Sequence, residues 1–432
     1  MAMPCLASKP LSRRHFLAAA GLAGAGAVAG SSILTGCSSS SSGRTTIRFM
    51  QNKPEAIGYF DDLVKAFNAS QRDVVVIHDS TTTPLIPQFV RGTPPDLACY
   101  NYNLETSNFL ARGSLTNLAD LPEAKTIDPS LQSLVTQFAQ FKSETGALPY
   151  SVTAAGVIYN KALFDKVGVQ VPATWSELLA VCEAFKAKGI VPIQQTFKDT
   201  WTLSQGIFDY VSGSALDVSA FFKELKALGP GAGPGASVSF SKDFRGALTK
   251  MVKLLDYTNP DAPSRGYGDG NVAFAGGKAA MYLQGPWAIG EIVKINPKAQ
   301  IGTFAMPASD NKEDVKVRVN LDLALWIPRD SPKQAAARTF LHYLMQPSVQ
   351  SKYNAANLAW STTRNAPPVT DAHVAGLQPY LQNGKFYQGA GTYMPTAIPV
   401  NNYLQELVIS KNAARFLDKL DSDWARFARR SV

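Results

Sequence analysis

At 432 residues, 45% hydrophobic and 17% charged, the chain is long enough to bury more than one core, and two domains are the default expectation. The net charge of +9 includes Lys9, Arg13 and Arg14 from an acid-free stretch of the first 36 residues, which leaves 39 basic against 33 acidic residues, or +6. Without a Lys/Arg run, that excess serves solubility and argues against a nucleic-acid partner.

Residues 12–17 read SRRHFL, followed by an Ala/Gly-rich apolar stretch over 18–30 and LTGC at 34–37. A basic n-region, a short apolar h-region and small residues before a cut describe an export signal over 1–36. The pair Arg13 and Arg14 marks the twin-arginine route. LTGC resembles the lipobox of bacterial lipoproteins, which makes Cys37 the lipidation site and 37–43, rich in serine, a flexible tether to the outer face of the cell membrane. Of the remaining cysteines, Cys99 ends an apolar strand-like run and Cys182 lies within a helical pattern, so two buried thiols are expected rather than a disulfide. His78, His342 and His373 lack metal-ligand spacing. No metal or other cofactor is expected.

Further along, TTIRFMQ (45–51) is a β-rich run. Phe60, Leu63, Val64 and Phe67 then fall at helical spacing, and DVVVIHD and PPDLACYNYN supply two more strands. Strand, helix and strand in units of about 30 residues form the βαβ signature of a parallel sheet covered by helices. GVIYNKALFDKVGVQVPATWSELLAVCEAFKAKGIVPIQQ repeats it, with Thr174 and Glu177 forming a capping box. AAMYLQ, AQIGTFAMP and DLALWIP are further strands. SPKQAAARTFLHYLM, NNYLQELVI and AARFLDKLDSDWARFA are helices, and 228–239 is a loop.

The blocks GVIYNKALF, FAGGKAAMYLQGPWAIGEI and LALWIPRDSPKQAAARTFLHYLMQP resemble the extracellular solute-binding proteins of the maltose-binding class, which serve ABC importers of sugars. The resemblance runs from about residue 45 to the C-terminus. It implies an α/β, periplasmic-binding-protein-like fold, with two lobes around a ligand cleft and several hinge crossings. The crossings are expected near 151–156, 303–307 and 320–325. The first lobe would comprise 44–152 plus 304–323, and the second 153–303 plus 324–432.

In that frame Gly285 and Pro286 form a strand-to-helix turn at the sheet edge where open α/β sheets bind ligands, and Trp287 becomes a flat platform for a sugar face. One stacked ring gives about 0.5–1.5 kcal/mol beyond area burial, against roughly 8 kcal/mol for micromolar binding, so further contacts must converge. Tyr100, Asn101 and Asn103 follow a strand end, as do Asn52 and Glu55. The resemblance adds Thr153 on the first crossing, Asp199 and Trp201 in FKDTWTL, and Asn401 where the class carries a second ring. Thr153 and Asn401 depart from the class pattern, which points away from maltodextrins. Asp322, a carboxylate inside an apolar strand, needs a partner, and ligand hydroxyls are one candidate.

The implied function is a lipid-anchored, extracytoplasmic, monomeric component that binds a neutral sugar and delivers it to permease subunits, without catalysis. Two alternatives remain. A secreted glycoside hydrolase would use two of Glu55, Asp199 and Asp322. The same fold could instead take a polyamine, peptide or glycerol phosphate. No G-x-S-x-G, H-E-x-x-H or P-loop occurs.

Overall fold

The computed structural model describes residues 43–430. The export signal with Arg13 and Arg14, the lipidation candidate Cys37 and most of the serine tether lie outside the described residues. In chain order the strands are β1 Thr45–Met50, β2 Val74–Asp79, β3 Leu97–Tyr100, β4 Gln140–Phe141, β5 Glu144–Thr145, β6 Leu148–Ala155, β7 Val157–Asn160, β8 Val191–Gln194, β9 Ala279–Tyr282, β10 Ile301–Phe304, β11 Val317–Trp326, β12 Trp360–Ser361 and β13 Phe386–Gln388.

They assemble into two separate sheets and a small hairpin. The first sheet has the order β12-β6-β11-β3-β1-β2, with β13 also paired to β11. Within it β1 runs parallel to both β2 and β3, which is the expected βαβ grammar, while β11 is antiparallel to β3 and β6. The helix Ile57–Ser70 between β1 and β2 buries Phe60, Val64 and Phe67. Ile47 and Phe49 join the core on one face of this sheet, and Met50 joins the core on the other, as strand alternation requires. The second sheet, β10-β7-β9-β8, carries its own cores. Cys99 and Cys182 are free thiols, buried in the cores of different sheets. No described helix is long and apolar enough to cross a membrane.

The chain passes from the first sheet to the second at Gly156, between β6 and β7, and returns between β10 and β11, close to two of the expected crossings. The third differs. All ten residues of β11 lie within the first sheet, so 320–325 is no crossing. Nor does 324–432 belong wholly to the second lobe. The helix Gln334–Leu344 buries Ala337, Phe340 and Leu341 in the first core, Tyr353 follows from the helix Pro347–Ala356, and β12 and β13 pair into the first sheet. The chain reaches one second-sheet core at Val374, pairs again with the first sheet through β13, and joins the other second-sheet core near Ala390. The end of β11, Leu323 to Trp326, is apolar on both faces, which suits a central strand covered on either side, and these helices cover one of those faces.

Candidate functional site

The first-lobe wall starts where β1 ends. Lys53 donates to both carboxylate oxygens of Asp322, at 2.8 and 2.7 Å, and lies 3.5 Å from Glu55. The side chains of Lys53 and Asp322 are only 13% and 5% exposed. Ser151 Oγ donates to the same aspartate at 3.2 Å. Between Leu321 and Leu323 the register of β11 against β6 slips, so Asp322 faces no paired residue and its carboxylate is free to meet Lys53. Burial by itself would lower the Lys53 pKa, but the charges and hydrogen bonds of Asp322 and Glu55 outweigh it and raise the ammonium above its ordinary value. Beside this cluster, Asn52 donates to the Thr81 carbonyl at 3.0 Å and hydrogen-bonds the Tyr100 phenol, whose pKa is raised by burial.

The second-lobe wall is aromatic, and the chain locks it from behind. Trp287 is the second residue of the helix Pro286–Ile295, as the strand-to-helix turn predicts. Its ring folds back over Gly285, where any Cβ would overlap the six-membered ring. Its indole N–H donates to Gln284 Oε1 at 3.2 Å, and Gln284 Nε2 reaches the Thr202 carbonyl at 3.5 Å. The ring is half-buried and packs against both cores of the second sheet. Trp201 pairs with Tyr267 at 5.1 Å between ring centroids, tilted by 56°. Tyr267 in turn opens the helix Tyr267–Ala275, and its backbone N–H donates to Asp199 Oδ2 at 2.6 Å. Burial raises the Tyr267 pKa, and the charge of Glu55 on the opposite wall adds to the effect.

Between the lobes lies a cavity of about 410 Å³. Its polar lining is dominated by six carboxamides, those of Asn101, Asn103, Gln205, Asn320, Asn401 and Asn402. Arg318 and Asp209 also line it and join the lobes. Arg318 donates through Nε at 3.0 Å and Nη2 at 2.9 Å to Asp209 Oδ2, with both side chains 1% exposed. The Gly391 N–H donates to Asp209 Oδ1 at 2.8 Å, and Gly389 lies so close that a Cβ there would overlap the carboxylate. Burial pushes the Asp209 carboxyl upward, and Arg318 and Gly391 offset this only in part. In the amide orientation that satisfies both groups, the Asn320 oxygen accepts from Nη2 and Nη1 of Arg318 at 3.0 and 3.1 Å.

The predicted residues therefore separate into groups. Asn101, Asn103 and Asn401 share the interlobe cavity, although Asn103 also caps the helix Leu104–Ala111 by accepting from the Thr106 N–H at 3.1 Å. Trp287, Trp201 and Tyr100 lie outside that cavity's lining, as do Asn52 and Glu55. Thr153 is 2% exposed, with a hydroxyl that meets no protein partner. Asp322 finds its partner in Lys53, and Asp199 uses one oxygen to cap a helix. The hydrolase reading thus loses two of its three acids to structural partners, and Glu55 lies against Lys53. Among the described residues no His, Cys, Asp and Glu cluster could hold a metal ion.

Sequence reading missed Tyr267, Gln284, Asp209, Arg318 and Asn320. One signal was present: in VRVNLDLALW, Arg318, Asn320 and Asp322 alternate with apolar residues, and that spacing places polar groups on one strand face.

Comparison with known proteins agrees with this architecture. The model of the bacterial extracellular solute-binding protein family matches residues 53–351. The chain is 26% identical over 328 residues to a multiple sugar-binding protein of Streptococcus mutans, covering 73% of this chain and 74% of that one. It is 23% identical over 256 residues to the melibiose/raffinose/stachyose-binding protein MelE of Bacillus subtilis, covering 57% and 56%. Among solved structures, the solute-binding protein RafE in complex with raffinose superposes with a TM-score of 0.75 at 20% identity, over 89% of this chain and 99% of that one. A Bacillus licheniformis sugar transporter solved with stachyose gives a TM-score of 0.72 at 15% identity, over 88% and 100%. With two α/β lobes around a cleft and a family match across more than half its length, the chain belongs to the bacterial extracellular solute-binding protein family.

Proposed function

We propose that the protein captures a neutral sugar, a mono- to short oligosaccharide, between its lobes and delivers it to the permease of an ABC importer. The interlobe cavity carries this reading. Six carboxamides supply both donors and acceptors, the pattern that a ring of hydroxyls needs; of the charged groups in the lining, Asp209 and Arg318 satisfy one another, and Glu105 adds a carboxyl whose pKa burial raises. Outside that lining, on the second lobe, the half-buried rings of Trp287, Trp201 and Tyr267 offer flat apolar faces for the C–H side of a sugar that extends beyond the cavity. Relatives named for sugar binding support the ligand class. Closure of the lobes around the ligand would present the form that the permease recognises. In this reading the protein acts as a monomer, exported by the twin-arginine route and held at the membrane through lipid on Cys37.

Thermal unfolding against raffinose, stachyose, melibiose, maltose and galactose tests the proposal. A sugar at about a hundred times its Kd adds ~2.7 kcal/mol of stability, so a true ligand raises the melting temperature saturably, and chromatography shows the sugar unaltered. A flat response to every sugar, or hydrolysis of any, rejects it. Mass analysis of the mature protein tests the anchor by reading whether the chain begins at a lipid-modified Cys37.

A further inference from the structure

Beside its six neutral carboxamides, the interlobe cavity is lined by three charged residues, Asp209, Arg318 and Glu105. The first two are engaged with each other: Arg318 gives Nε and Nη2 to Asp209, and Nη2 and Nη1 to the Asn320 oxygen. Glu105 has no such partner among the described residues. We propose that Glu105 is the specificity-determining residue of the cleft, accepting hydroxyls of a neutral sugar and turning away acidic sugars. This rests on the sugar-binding reading above and names the residue that sets its charge class.

Three observations carry it. Glu105 follows the cap Asn103 at the start of the helix Leu104–Ala111, and both residues line the cavity. Its side chain is only half-buried and neither oxygen is shut off from solvent, so a ligand can reach the carboxylate. Burial raises its pKa, with no hydrogen bond or cation acting the other way. Its charge in turn raises the Tyr100 pKa, so the carboxylate lies within electrostatic reach of the Asn52–Tyr100 pair on the first-lobe wall.

An ionised carboxylate accepts hydrogen bonds and never donates. Closure of the lobes would strip water from it, and an unpaired charge out of water is costly unless the ligand brings a donor. Sugar hydroxyls are donors, and a hydrogen bond to an ionised acceptor is roughly twice as strong as one to a neutral acceptor. An acidic sugar would instead add negative charge to a lining whose described cation is already engaged, a repulsion that selects by exclusion.

Isothermal titration of the full chain with raffinose, galactose, galactosamine and galacturonate tests this in wild type and Glu105→Gln. At pH 7 galacturonate should bind wild type at least tenfold more weakly than the better neutral sugar. Glu105→Gln should weaken that neutral sugar about tenfold and leave galacturonate no weaker than before. The Glu105 pKa lies above its ordinary 4.5, so the difference between the two proteins should be full at pH 7 and shrink as pH falls through the folded value. Asp209 and Tyr100, the titrating groups near it, are present in both proteins and do not enter that difference. An acid in the first turn also complements the helix dipole. A role confined to the helix would lower the melting temperature of the empty variant while affinity and its pH profile stayed unchanged, and that result overturns the proposal. So does galacturonate bound as tightly as the neutral sugars, or galactosamine preferred over galactose. Binding of no sugar by either protein overturns the sugar reading and this inference with it, whereas neutral-sugar binding undiminished in Glu105→Gln overturns this inference alone.

Discussion

The two walls of the cleft are built on opposite plans. On the first lobe, Lys53, Glu55, Asp322 and Ser151 form a polar cluster whose charges are satisfied by one another before any ligand arrives. On the second lobe, Trp287, Trp201 and Tyr267 keep aromatic surface at the edge of the core, and polar groups behind them serve only to aim the rings. The difference shows that a buried charge near a binding site need not be a ligand contact. Asp322 and Asp199 both sit where a sugar-binding acid would be sought, and each is occupied with holding its own lobe together. The Asp209–Arg318 pair goes further and joins the lobes.

The strongest way to break this arrangement is to remove that join. Asp209→Ala leaves Arg318 buried without a counter-charge, a loss of about 3–5 kcal/mol, measurable as a lower denaturation midpoint in urea. Next, Trp287→Ala removes the platform. Sugar affinity should fall by about 2 kcal/mol, roughly thirtyfold in Kd. Because the ring also packs against both second-lobe cores, the melting temperature of the empty protein should drop with it. An unchanged melting temperature would mean that the ring serves the ligand alone. Gly285→Ala sharpens the same point by displacing the ring instead of deleting it. Its φ of −102° suits alanine, so the overlap with the Trp287 ring sets the penalty, and affinity should weaken by about tenfold, ~1.4 kcal/mol.

A last test discharges the polar wall by pH and reads only how one stability difference changes. The Lys53 pKa in the folded protein lies above its ordinary value of 10.5. Its stabilising contribution is therefore complete below pH 10.5 and is lost as pH rises through the folded value. Thermal melts of wild type and Lys53→Met should keep a constant difference from pH 7 to 10 and converge in stronger base. Convergence on the acid side instead would place the titrating group elsewhere.

Much of the fold could be read from local pattern. Phe60, Val64 and Phe67 mark a helix because spacing at 3.6 residues per turn leaves them one face to bury, and the Gly285–Pro286–Trp287 turn follows from the conformational limits of glycine and proline. These are properties of neighbouring residues, and no distant contact is needed to state them. Partners far apart along the chain were not legible in the same way. Lys53 and Asp322 are separated by 269 positions, and Asp209 and Arg318 by 109, so their pairing exists only once β11 is inserted centrally in the first sheet. The same insertion moved the third crossing from 320–325 to the stretch between Val374 and Ala390. Local periodicity identifies a strand and the faces it presents, but which sheet accepts it depends on which surface still needs cover, a condition set by the whole chain at once.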